Sequence, residues 1–147
     1  MAYSSRELLA RIIKCEAGGE GELGMKAVAT AVMNRVHVSE GEYLTIGQGD
    51  LRKVIFQPGQ FDCVAETLGG QPNYQTIYNA NPEQIHYDIA DWALAGNKVY
   101  NLAVSLWYMN PFIPDCPVYF PYNQSGVYNS RIRQHCFYDP TPRYAQT

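Results

Sequence analysis

From Ser4 to Glu20 the chain spells an amphipathic helix whose apolar face ends in an acid. Leu9, Ile12, Ile13 and Glu16 recur at i, i+3, i+4 and i+7, so they share one face of a 3.6-residue helix. That face has to be buried, and the core must therefore form around a stripe with a carboxylate where a leucine would ordinarily stand. Ser4 and Glu7 make a capping-box pattern that predicts a helix over 5–17. Gly18-Gly19 stops it, which leaves Glu16 at the mouth of the core rather than deep inside. Partial desolvation disfavours a charged carboxylate, raises its pKa and suits it to general acid catalysis. The plainer reading is an acid in a last helical turn that curls out to solvent.

A second helix is predicted from Gly21 to Val38, with Ala27, Val28, Ala31, Val32 and Val36 on its apolar stripe and small alanines allowing close approach. Residues 40–50 read as irregular, and 51–56 as a short helix or strand. Gln57-Pro58-Gly59-Gln60 carries the Pro-Gly pair of a type II turn. A loop is expected over 69–81. A third long helix should begin at Asn81-Pro82-Glu83, bury Ile85, Ile89, Trp92 and Ala93, and end at Gly96. After Asn110-Pro111 the prolines 114, 117 and 121 exclude long helices, and 132–138 reads as a closing strand or short helix. The fold class is thus mainly α with a small irregular β part, in a single domain over 1–147.

A net charge of −3 with scattered Lys and Arg offers no basic stripe, which argues against nucleic acid as a partner. No apolar run approaches a membrane span, and the first residues lack the basic start and apolar middle of a secretion signal. Cys15, Cys63, Cys116 and Cys136 form no C-x-x-C pair, and the three histidines make no zinc pattern, so neither a metal nor a cofactor is implied. The cysteines read mostly as small buried hydrophobes, disulfides being mildly disfavoured by the missing signal.

The blocks Cys15-Glu16-Ala17-Gly18-Gly19-Glu20 and Ala27 to Val36, the latter closing on Asn34-Arg35-Val36, resemble the signature of SleB/CwlJ-type cell wall hydrolases. Pro58-Gly59-Gln60-Phe61, Trp107-Tyr108-Met109-Asn110-Pro111 and His135-Cys136-Phe137-Tyr138 match further family segments in the same order, across nearly the whole chain. Gly18 stands where the family often has Arg, and the stretch near 65–82 is longer. The resemblance implies a lysozyme-like, lytic-transglycosylase-related fold and cleavage of peptidoglycan glycan strands between N-acetylmuramic acid and N-acetylglucosamine. It makes Glu16 the general acid, with Glu20 second; alone, Glu16 would favour the lytic transglycosylase outcome. Glu20's plain reading is a helix N-terminal acid favoured by the macrodipole. Gln57, Gln60, Phe61, Trp107, Tyr108, Asn110 and His135 are the candidates for substrate contact, each with a structural alternative in the core or in a turn. The resemblance further implies a role in spore germination, placement in the spore outer layers or cell wall, and room for a spore-layer partner protein. The competing readings are a phage endolysin with the same chemistry and a cysteine-dependent peptidase or amidase using Cys15 or Cys63 with a histidine base.

Overall fold

A computed structural model describes residues 3–147. Helix α1 runs Ser5–Ala17, capped by the Ser4 hydroxyl, which accepts from the Glu7 amide at 3.1 Å. Its stripe is buried as the periodicity requires: Leu8, Leu9, Ile12 and Ile13 are sealed from solvent. Helix α2, Gly21–His37, is the central element, and every residue from Ala27 to Val36 is buried. The expected single stripe is therefore an understatement, since a helix apolar almost all round is surrounded. Its polar residues face protein as well. Asn34 Nδ2 donates to the carbonyls of Leu102 and Ser105 at 2.9 and 2.8 Å, and the Thr30 hydroxyl accepts from the Val99 amide. An irregular segment over 99–106 is thereby pinned to the helix, its backbone groups satisfied by side chains instead of a ladder.

Residues 40–50, read as irregular, contain helix α3, Gly41–Gly47. The weak propensity of this Gly-containing stretch is overridden by one anchor, the buried Tyr43, whose amide donates to the Tyr144 hydroxyl at 3.3 Å. Helix α4 follows at Leu51–Ile55. The turn after it has Gly59 at φ 80° and an amide-to-carbonyl bond from Gln60 to Gln57, as the Pro-Gly pair predicts. A two-residue hairpin, β1 (Thr67–Leu68) and β2 (Gln71–Pro72), lies within the longer insert. Helix α5 spans Gln84–Leu94, starting later than the Asn81-Pro82 signal suggests. Its cap is Glu83, in a reciprocal box with His86, whose Nδ1 accepts from the Glu83 amide at 2.8 Å. Together α1, α2 and α5 enclose the larger apolar core.

The last third forms an antiparallel sheet in the order β3 (Trp107–Met109), β5 (His135–Pro140), β4 (Gly126–Ile132), before the short helix α6, Pro142–Ala145. The closing strand is as expected; its hairpin partner β4 falls where only loop was expected. Gly126 explains part of that miss: a Cβ there would lie 2.3 Å from the Phe120 carbonyl and 2.7 Å from the Trp107 ring, so the strand starts at a contact only glycine permits. Register places Tyr108 opposite Phe137 and Trp107 opposite Tyr138. Trp107 therefore joins a second core with Tyr43, Leu106, Tyr138 and Tyr144, and Tyr108 points to the other face. The reading of the cysteines as unpaired hydrophobes is corrected. Cys116 is joined to Cys136, tying the proline-rich arm to β5, and Cys15 to Cys63, so no cysteine is free among the described residues. Spacing along the chain carries no information on such pairings.

Candidate active site

Three segments meet at the last turn of α1. Glu16 is the residue they meet on. From β3, the Tyr108 hydroxyl donates to Glu16 Oε1 at 2.9 Å. From the short helical turn at Asp62–Val64, Cys63 Sγ lies 3.1 Å from Oε2. Bonded to Cys15, that sulfur has no proton to give, so the tyrosine is the donor of this pair of neighbours. Burial pushes the Glu16 pKa above the ordinary carboxylate value; the Tyr108 bond opposes it, the charge of Asp62 adds to it, and Arg35 opposes it. Burial prevails, and the protonated form persists to higher pH than in a free glutamate. Burial also holds Tyr108 well above its usual range, which keeps it a donor.

Beneath this pair sits Arg35, 4% exposed. Its Nε donates to the Leu106 carbonyl at 2.6 Å and Nη1 to Gln60 Oε1 at 3.4 Å. Its guanidinium lies 4.9, 5.0 and 5.9 Å from the ring centres of Tyr43, Phe61 and Tyr108. Among the described residues no carboxylate pairs with it directly. A buried cation held by aromatic faces and carbonyls acts on whatever anion is nearby, and here it opposes the burial-driven rise at Glu16. Sequence reading sees Arg35 only as a brace at the end of α2; its position among three rings arises from long-range packing.

Glu16 opens on a groove of about 670 Å³ lined also by Lys14, Glu20, Asn110, Gln134 and His135. Glu20, at the cap position of α2, accepts from the Gln134 amide at 3.2 Å and has His135 Nδ1 at 3.0 Å, off the line that a hydrogen bond needs. It clasps the β4–β5 turn to the head of α2, so its carboxylate is engaged in structure. Gly24 allows this: a Cβ there would stand 2.5 Å from that of Glu20. Burial lowers the His135 pKa against the opposing pull of Glu20.

The candidate substrate contacts divide. Asn110 and His135 line the groove with Glu16, although Asn110 also accepts from the Phe112 amide in a turn. Gln60 lies on the cleft beyond Tyr108, its Oε1 taken by the Tyr43 hydroxyl at 2.7 Å. Phe61 and Trp107, at 2% and 3% exposure, are core residues, although an edge of Trp107 lines the cleft that holds Gln60. Gln57 is buried too, with Oε1 lacking a partner among the described residues. Tyr108 is engaged by Glu16 rather than offered as a platform. Of potential metal donors, Cys15, Glu16 and Cys63 gather here, their ligand atoms within 4.8 Å of one another. The reading of Cys15 or Cys63 as a nucleophile fails in this oxidised form, which has no thiol.

A mainly helical body, a small sheet and a desolvated carboxyl opening on a polar groove define a lysozyme-like protein. The sequence profile of the Cell Wall Hydrolase family matches residues 19–138. The matched stretch takes in Glu20, whereas Glu16 lies just before it. Cell wall hydrolase CwlJ of Bacillus subtilis is 32% identical over 135 residues, covering 92% of this chain and 84% of that protein. CwlJ of Halalkalibacterium halodurans is 33% identical, with 92% and 85% covered. The catalytic domain of the Bacillus cereus SleB protein superposes with a TM-score of 0.66 at 26% identity, over 94% of this chain and 93% of that one. The catalytic domain of the germination-specific lytic transglycosylase SleB from Bacillus anthracis gives 0.62 at 24%, over 94% and 98%, a likeness of fold. The chain belongs to the cell wall hydrolase family.

Proposed function

We propose that this protein cleaves the glycan strand of peptidoglycan between N-acetylmuramic acid and N-acetylglucosamine, with Glu16 as general acid and then base. The observation that carries it is the Glu16 carboxyl, desolvated and held by one tyrosine hydroxyl at the edge of a groove. Protonated Glu16 gives its proton to the glycosidic oxygen, the bond to the muramic C1 breaks, and an oxocarbenium-like centre forms. The Glu16 carboxylate then takes the proton of the muramic 6-hydroxyl as that oxygen closes on C1. An intramolecular attack has a large effective concentration, and Glu20 is occupied by the β4–β5 turn. The product is therefore a 1,6-anhydro end, the outcome of a lytic transglycosylase.

The likeness to CwlJ and to the SleB catalytic domains supports the cortex of a germinating spore as the wall attacked, and the spore outer layers or cell wall as the place of action. Mass spectrometry of muropeptides released from purified cortex tests the chemistry. Anhydro ends, one water lighter than hydrolysis products, are expected. Reducing ends carrying oxygen from labelled water would overturn the transglycosylase outcome. Asp62, the other carboxylate whose charge Glu16 feels, would then be the first to replace.

A further inference from the structure

The catalytic reading leaves the Cys15–Cys63 disulfide unused, although one of its sulfurs touches the acid. Cys15 lies on the groove, Cys63 is buried, and Glu16 Oε2 is 3.1 Å from the Cys63 sulfur. These donors come from two segments, 48 positions apart for the cysteines. Two thiolates and a carboxylate match the ligand preference of zinc-class cations, whereas magnesium and calcium prefer all-oxygen sites.

We propose that the disulfide masks a metal site: once it is reduced, Cys15, Cys63 and Glu16 together bind one zinc-class divalent cation, and the bound metal withholds the Glu16 carboxyl. A phosphine reductant balances the first step. It gives two electrons to the S–S bond, takes an oxygen from water to become the phosphine oxide, and the two sulfurs receive the two protons of that water. Metal binding then displaces both thiol protons, and Glu16, where protonated, releases its proton too and binds as carboxylate. In a tetrahedral zinc site with bonds of about 2.3 Å to sulfur, the two sulfurs stand roughly 3.8 Å apart. With the Cα atoms 6.4 Å apart, rotation about the two Cα–Cβ bonds supplies that separation without moving the backbone. Three protein ligands leave a fourth position for water on the groove side. The effect on lysis rests on Glu16 being the general acid; the binding itself does not.

Cobalt(II) titration of the phosphine-reduced, desalted protein under anaerobic conditions tests it, with circular dichroism recorded alongside. The expected result is a thiolate-to-cobalt charge-transfer band saturating at one equivalent and bleached by zinc. Neither the oxidised protein nor Cys15→Ser/Cys63→Ser should show it. Reduced Glu16→Gln should keep the band but bind at least about ten-fold more weakly, since even an outer partner of a metal ligand is worth that much. A reduced, folded protein without the band, an unchanged affinity in Glu16→Gln, or the band persisting in the double serine variant would each overturn the proposal. So would loss of fold on reduction. The readout is spectroscopic, so a failure here is distinct from a failure of the glycan-cleaving chemistry, which shows as absent lysis by the oxidised protein.

Discussion

The last turn of α1 and the first turn of α2 are neighbours in sequence and opposites in chemistry. Glu16 is desolvated, accepts from one buried phenol, and its pKa is raised. Glu20, four residues on, accepts from a backbone amide beside a histidine and holds the β4–β5 turn. On the proposed mechanism the same side chain serves as a proton donor in one place and a clasp in the other. What separates them is the partner, a side chain buried under the groove against a backbone group at its rim.

The sharpest way to break this comparison is Glu16→Gln beside Glu20→Gln in a wall-lysis assay. The first should lower the rate by on the order of 10²–10⁴-fold or more with the fold intact, because the amide keeps the shape without an acidic proton. Substantial lysis by folded Glu16→Gln would remove the distinction altogether. Arg35→Met should be the most destabilising change, about 3 kcal/mol by denaturant unfolding, since it strips a buried cation from the Leu106 carbonyl and three rings. A loss of under half that would mean that Arg35 is not the support described.

Tyr108→Phe should slow lysis about five-fold, the equivalent of about 1 kcal/mol. It should also move the alkaline limb of the pH–rate profile upward, because the bond it removes lowers the Glu16 pKa. A limb that stays put or moves down would show that the tyrosine does not hold the acid. Stability should follow the same titration. A carboxyl with a raised folded pKa contributes in full below its unfolded value near 4.5 and loses that contribution as pH climbs through the folded value. The Glu16 contribution should thus fade over a pH range beginning near 4.5, read as the difference in unfolding midpoint between wild type and Glu16→Gln. The smallest effect is expected of Glu20→Gln: lysis within about three-fold and a stability loss under about 1 kcal/mol, as for a polar contact near the surface.

Glu16 could be found from sequence because its evidence is local. A 3.6-residue period and a glycine stop put it on the buried face near the helix end, and the same signals gave α1 and α2. Tyr108 was visible as an aromatic before Asn110-Pro111, but its role depends on strand register: facing Phe137, it turns away from the core that receives Trp107. A slip of one residue would exchange the two rings. The same limit hid strand β4 and both cysteine pairings, and left the core reading of Phe61 and Trp107 as one of two alternatives. Each is decided by contacts between distant segments rather than by a window of neighbours.

The Tyr108–Glu16 bond spans 92 positions of the chain, and this gives the acid a date of birth. Without β3 docked on β5, Glu16 lacks the hydroxyl that holds it and part of the cover that raises its pKa. Contacts of such sequence separation are slow to form, because loop-closure entropy must be met first. A chain clipped upstream of β3 thus carries the motif without the tyrosine that holds its acid. On the proposed mechanism, completion of the fold is what arms this glutamate against the wall.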